Sequence, residues 1–118
     1  MKKFLAMYTG TTGAYDKWLQ KFADPEARKA QEKAGMEAWT KWAEKHGKAI
    51  VEGGGPLGKT KQVSAAGIQD IRNNLAAYVV VQAESQEAAA KMFLDHPHFS
   101  LFPGDAVEIM EILPVPNR

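Results

Sequence analysis

Gly53 to Thr60 reads GGGPLGKT, which matches the phosphate-loop pattern G-x-x-x-x-G-K-[ST] and follows the strand-like run 49–52. A phosphate loop binds its anion because it runs directly into a helix, whose unpaired N-terminal amide groups hold the phosphate. Residues 61–74 (KQVSAAGIQDIRNN) instead contain β-branched and turn residues, with no apolar stripe at helical spacing. The sequence therefore predicts strand and turn after Thr60 and argues against a nucleotide site, including one based on the overlapping G-x-G-x-x-G pattern.

Strand and helix patterns alternate along the rest of the chain. Residues 3–9 are apolar on both faces, as in a central strand, and residues 77–83 (AYVVVQA) form the clearest strand pattern. A long helix is predicted to begin after Asp24, its N-cap, with Pro25 at the first position, and to end near Gly47. The other predicted elements are a short helix over 15–22, a strand over 49–52, a helix from Ser85 to His96 that Pro97 ends, and a strand over 106–113. This order predicts an α+β fold, the ferredoxin-like β-α-β-β-α-β sandwich, with both main helices on one face of an antiparallel sheet.

Length and composition exclude several classes of protein. The chain has 118 residues, and we expect residues 1–118 to form a single ferredoxin-like domain. Its 15 basic and 14 acidic residues are interspersed, which leaves no basic stripe for nucleic acid, and the absence of cysteine excludes disulfides and thiol catalysis. The apolar run 4–8 is too short for a signal peptide or a membrane span. We therefore expect a soluble, cytoplasmic protein that binds neither nucleic acid nor membrane.

The predicted strands are apolar on both faces, although two helices can cover only one face of a four-stranded sheet. The second face would expose a large apolar patch in a monomer, so we expect it to pack against a second copy of the chain. Tyr78, Val80 and Gln82 share one face of their strand, and we expect this face to form the interface of a homodimer.

The glycine-rich stretch also carries a family resemblance. Residues 54–61 (GGPLGKTK) are similar to the D-G-P-F-x-x-T-K signature of YCII-related proteins, with Gly54 in place of the Asp and Leu57 in place of the Phe. The resemblance extends over most of the chain and implies a dimeric α/β barrel. The family's proposed His-Asp acid-base pair uses a histidine early in the chain, whereas the first histidine here is His46, so this pair cannot be transferred.

The predicted strand directions bring several segments together at one end of the sheet, which is the candidate site. Its densest titratable cluster is Asp95, His96 and His98, which we take as candidate catalytic residues because histidine transfers protons near neutral pH. Alternatively, His96 packs and caps the C-terminus of its helix, whereas His98, beyond Pro97, is expected to be freer. The candidate substrate-binding residues are Tyr8, Thr9, Trp39, Trp42, Gly54, Gly55, Lys59 and Asp105.

Two classes of function fit this pattern. One is a cofactor-free enzyme that uses histidine acid-base chemistry on a small organic molecule, with Lys59 as an electrostatic stabiliser. The other is a non-catalytic module that binds a small molecule in an apolar pocket between sheet and helices. A zinc site formed by His96, His98 and an Asp is a weaker alternative, because structural zinc usually takes Cys or more His. The sequence therefore predicts no metal and no cofactor.

Overall fold

A computed structural model describes residues 1–116 and confirms the ferredoxin-like α+β fold. The elements are β1 (Lys2–Thr9), α1 (Thr12–Lys21), α2 (Pro25–Lys45), β2 (Ile50–Pro56), β3 (Thr60–Ser64), β4 (Gly67–Ile71), β5 (Leu75–Ala83), α3 (Gln86–Lys91), α4 (Pro97–Ser100) and β6 (Ala106–Glu111). The main sheet is antiparallel with the strand order β2-β5-β1-β6, and β3 and β4 form a separate two-stranded hairpin. A strand therefore follows Thr60, as the sequence predicts, and the helix that a phosphate loop needs is replaced by β3.

Alternation along β1 and β5 places the core on one face of the sheet. Phe4, Ala6 and Tyr8 are fully buried, and each pairs across the sheet with a buried small residue of β5. Trp42 of α2 and Phe93 complete this core from the helical side. The face of β5 expected to pack against helices is therefore the face that does so.

In the part of the chain that the structure describes, no helix packs on the other face of the sheet. Leu5 and Met7 of β1 are half-buried there, and Met110 of β6, which pairs with Leu5, is 43% exposed. Tyr78 belongs to the same face, since it pairs with Met7. This arrangement matches the sequence-based expectation of an apolar second face. None of the helices in residues 1–116 is long and apolar enough to cross a membrane.

The long helix α2 begins as predicted, because the Asp24 side chain accepts a hydrogen bond from the Ala27 amide and Pro25 occupies the first position. The second helix differs from its prediction. α3 ends at Lys91, and Pro97 begins a separate short helix, α4, instead of ending a helix that extends to His96. Proline suits this position because its ring fixes a helical φ and its missing N–H is not needed in the first turn. His96 is consequently the N-cap of α4, and the expected C-terminal cap is wrong.

Candidate functional site

A cavity of about 350 Å³ lies beside the C-terminal end of β1, between the sheet, α2 and the loop that follows α4. Its walls are mainly aromatic and aliphatic, with a few glycines. The lining residues are Tyr8, Met36, Trp39, Gly53, Gly55, Pro56, Ala76, Ala77, Tyr78, Val79, His98, Phe102 and Pro103. Among the described residues, no Asp, Glu, Lys or Arg lines this cavity. The Tyr78 hydroxyl donates to Glu52 outside it, so the polar side chains of the cavity are those of Tyr8, Trp39 and His98.

His98 supplies the cavity wall with a nitrogen that can accept a proton. The first turn of α4 carries it, and it is 5% exposed. Its Nε2 lies 2.8 Å from the carbonyl oxygen of Thr9, so Nε2 carries the hydrogen and donates it. Burial lowers the pKa of His98, although the carbonyls of Thr9 and Ala106 oppose the shift. The imidazole is therefore neutral near pH 7, and Nδ1 keeps its lone pair.

His96 is fixed in one tautomer by its neighbours. Its Nδ1 accepts a hydrogen bond of 3.0 Å from the backbone N–H of His98, so the hydrogen of the neutral ring lies on Nε2. Nε2 is 3.0 Å from the hydroxyl oxygen of Tyr8 and donates to it. Burial, followed by the charges of His98 and His46, lowers the pKa of His96 to about 3. Burial also raises the pKa of Tyr8, which keeps its hydroxyl protonated.

Aromatic rings enclose this polar group. Trp39 stacks on Tyr8 with ring centroids 4.9 Å apart and meets His96 edge to face at 4.4 Å. Trp42 contacts the other side of His96 at 4.5 Å. Water is thereby excluded from His96, which is 1% exposed. Because the charged form of an imidazole is costly in such an apolar environment, this packing keeps both His96 and His98 neutral.

Two ring nitrogens at the cavity remain without a partner. Trp18 and Trp42 donate their indole N–H groups to the carbonyls of Leu101 and Met92, but Trp39 Nε1 has no acceptor within residues 1–116. His98 Nδ1 likewise has no partner in this part of the chain. Because every fully buried side-chain nitrogen or oxygen of the described residues is hydrogen-bonded, neither of these two atoms is sealed in the core. Both belong to residues that line the cavity.

The structure brings together six of the predicted site residues, one of which is His96, the donor to the Tyr8 hydroxyl. Tyr8, Trp39, Gly55 and His98 line the cavity, and Thr9 contributes the carbonyl that orients His98. His98 was expected to be freer than His96, but both side chains are buried, at 5% and 1% exposure. The reason is local: α4 turns His98 inward over Gly104, where an added Cβ would overlap the imidazole ring.

Gly54 and Trp42 support the cavity without lining it. Gly54 has φ +61°, and a Cβ there would overlap the carbonyl oxygen of Tyr78, so glycine is required for this close approach. Trp42 lies in the core behind His96 and donates to the carbonyl of Met92 at 2.9 Å.

The charged candidates lie elsewhere. Lys59 borders a second, wider groove of about 970 Å³, together with Arg72. Asp105 is exposed and accepts a hydrogen bond of 2.6 Å from the Thr11 amide, the first contribution to its lowered pKa. Asp95 is exposed and does not line the cavity. Within residues 1–116, no three His, Asp or Glu side chains are grouped to hold a metal ion.

Sequence reasoning missed Phe102, which lines the cavity beside Trp39. Its ring packs against Gly35 of α2, where an added Cβ would come within 2.6 Å of the ring atoms. The glycine within a long helix was a visible signal of close approach, but its partner, 67 positions away, has no local pattern that identifies it.

The chain was compared with known proteins. No protein-family model matches it, and no curated protein matches it significantly. Among solved structures, it is similar to 5-chloro-2-hydroxyhydroquinone dehydrochlorinase (TftG) from Burkholderia phenoliruptrix AC1100, in complex with 2,5-dihydroxybenzoquinone. The TM-score is 0.51, with 16% sequence identity over 92% of this chain and 90% of that chain. At this identity the similarity establishes a shared fold, and membership of the YCII-related family stays a prediction.

Proposed function

We propose that this protein is a cofactor-free enzyme that acts on a small organic molecule in the apolar cavity, with His98 as the acid-base residue. The observation that carries the proposal is the state of His98: it is a neutral imidazole at the cavity wall, its Nε2 donates to the Thr9 carbonyl, and its Nδ1 has no partner among residues 1–116. A base with one nitrogen oriented by a backbone acceptor and the other free is the arrangement that proton abstraction requires.

The geometry supports a catalytic role for fewer titratable residues than the sequence predicts. His96 uses both ring nitrogens in internal hydrogen bonds, so it positions Tyr8 and the backbone of His98. Asp95 and Lys59 lie outside the cavity, and we propose no role for them in the chemistry. Trp39 provides an aromatic surface for the bound molecule.

The fold neighbour TftG supports a small-molecule site, since it is a dehydrochlorinase whose complex contains a flat quinone. A cavity of about 350 Å³ is within the range that holds ligands of this kind. Because 2,5-dihydroxybenzoquinone is itself an anion at neutral pH and no cationic side chain of the described residues lines the cavity, we choose the neutral phenol para-hydroxyacetophenone as the first probe. In an NMR titration, amide shifts are expected at Thr9, Gly55 and His98, together with a shift of the Trp39 indole N–H.

The control for this titration is the second groove. Lys59→Ala should bind the probe as the wild-type protein does, whereas His98→Phe should bind it more weakly. Shifts confined to the Lys59 and Arg72 groove, or no shifts at any concentration, would contradict a site in the apolar cavity.

A non-catalytic binding module is the second candidate, favoured by one specific observation. Within residues 1–116, no carboxylate is hydrogen-bonded to the imidazole of His98, whose Nε2 partner is a backbone carbonyl. Such a base is less strongly activated than one paired with Asp or Glu. A molecule that co-purifies unchanged and is released only by unfolding, as detected by native mass spectrometry, would favour the module.

We also propose that the chain is a divergent YCII-related protein and forms a homodimer through the helix-free sheet face. Leu5, Met7 and Met110 lie on this face, and they would remain in contact with water in a monomer. A stable dimer would bury on the order of 1,500 Å² in total. Light scattering at micromolar concentration should give twice the mass of the chain, and a stable monomer would exclude the barrel arrangement.

A further inference from the structure

We propose that the ligand of the cavity is an uncharged, flat molecule carrying a hydroxyl group that donates to His98 Nδ1 and a carbonyl-type oxygen that accepts from Trp39 Nε1. The inference rests on the proposed function, because it assigns a ligand class to the same cavity. It adds the direction of each hydrogen bond between ligand and protein, which follows from the hydrogen bonds that the two rings already make.

The acceptor is defined by the tautomer of His98. Since Nε2 donates to the Thr9 carbonyl, the neutral ring can only accept at Nδ1. A ligand must therefore offer a hydrogen at this position, as a phenol or enol hydroxyl does. The same contact is the first step of proton abstraction: the O–H bond breaks, its hydrogen bonds to Nδ1, and the electron pair stays on the ligand oxygen.

The donor is defined by comparison among the three tryptophans. An indole N–H can only donate, and those of Trp18 and Trp42 do so to backbone carbonyls. Trp39 Nε1 alone lacks an acceptor in residues 1–116, and its ring is 6.3 Å from that of His98, at 84°. The rings that carry the two nitrogens are thus neighbours in the cavity wall, and one nitrogen donates a hydrogen whereas the other accepts one, which suits one small molecule with both groups.

The charge of the ligand is restricted by the cavity walls. No cationic side chain among the described residues lines the cavity, so a carboxylate would lose its hydration without gaining a counter-charge. An apolar ring, in contrast, gains contact with Trp39, Met36 and Phe102. We therefore exclude acidic metabolites, including hydroxyquinones that are ionised at neutral pH, and favour hydroxylated ring ketones and phenols.

Four probes of nearly equal shape separate the two contacts. They are para-hydroxyacetophenone, which has both groups, para-methylacetophenone, which has the carbonyl, para-ethylphenol, which has the hydroxyl, and para-ethyltoluene, which has neither. Affinities are measured at neutral pH, where the phenols are largely un-ionised. Each matched group should tighten binding about 5-fold, the equivalent of one net hydrogen bond. The carboxylate para-toluate should bind more weakly than para-ethyltoluene.

Two variants assign each preference to a residue. Trp39→Phe keeps an aromatic ring and should lose the preference for the carbonyl but keep that for the hydroxyl. His98→Phe keeps a ring over Gly104 and should show the reverse. Should either variant fail to fold, the tautomers can be read in the wild-type protein by nitrogen NMR of the histidine rings, in which a protonated Nε2 and an unprotonated Nδ1 are expected for His98.

The possible failures differ in meaning. Equal affinity for all four neutral probes would overturn the inference and leave a binding cavity, so the proposed function would stand. No binding of any probe would overturn both. A proton on Nδ1 of His98 would overturn the assignment of this nitrogen as an acceptor.

Discussion

Acidification should destabilise this protein through His96, whose ring is buried in its neutral form. The unfolded chain takes up a proton at this histidine near the ordinary pKa of 6.5, whereas the folded protein does so only at about 3. The unfolded state therefore binds more protons as pH falls, and the stability associated with neutral His96 is lost between these two values and is complete above them.

The magnitude follows from the two pKa values. Each unit of pKa difference corresponds to about 1.4 kcal/mol, so acidification from about pH 7 to about pH 4.5 should remove roughly 2.5 kcal/mol through His96 alone. Protonation at Nδ1 also replaces the lone pair that accepts the His98 amide, so the N-cap of α4 is lost in the same step. For a domain whose total stability is about 5 to 15 kcal/mol, this is a large fraction.

The assay is urea unfolding at a series of pH values for the wild-type protein and for His96→Asn. Asparagine is a favourable N-cap and can accept the His98 amide, but it does not titrate. His98, His46 and Asp105 also have lowered pKa values, and they remain in both proteins. The variant should be less stable at neutral pH, since the hydrogen bond to Tyr8 is lost, yet its stability should fall less steeply with acid. Parallel pH profiles for the two proteins would refute the buried, neutral state of His96.

Three further outcomes are expected. Gly54→Ala should lower the free energy of unfolding by about 2 kcal/mol or more, because alanine disfavours a positive φ and its Cβ would meet the Tyr78 carbonyl. The control Gly53→Ala should cost less, since its Cβ would meet no neighbouring atom, and urea unfolding of both variants tests this. Tyr8→Phe should lower the free energy of unfolding by about 1 to 3 kcal/mol, because it leaves the His96 Nε2–H without an acceptor. The control Tyr78→Phe loses only an exposed hydrogen bond to Glu52 and should cost less in the same assay. Leu5→Glu should convert the proposed dimer to monomer in light scattering without unfolding it, and an unchanged mass would place the interface elsewhere.

The sequence was sufficient for the fold because its strongest signals are local and repeated. The alternation in β1 and β5 assigns each residue to a face, and Asp24 with Pro25 begins α2 where the structure has it. The break between α3 and α4 was not predictable in the same way. Proline ends one helix or begins the next with the same local sequence, and the long-range contact of His98 with Gly104 that accompanies α4 has no local pattern.

The candidate site was predictable in part. Strand direction placed Tyr8, the glycine-rich segment and the histidines at one end of the sheet, and this is where the cavity lies. The sequence does not predict which charged side chains face the cavity, because adjacent residues point in different directions and a shift of one position moves a side chain to the surface. Asp95 and His96 are neighbours in sequence, yet one is exposed and the other is 1% exposed.

The glycine-rich stretch shows why a motif match needs a structural reason. A phosphate loop requires its glycines so that successive amides can converge on an anion ahead of a helix. Here β3 follows, and of Gly53, Gly54 and Gly55 only Gly54 is sterically required. Gly53 and Gly55 line the cavity, and an added Cβ at either position would meet no neighbouring atom of the described residues. The one glycine of this stretch that the structure requires is therefore explained by a close contact with the Tyr78 carbonyl, and this contact does not involve phosphate.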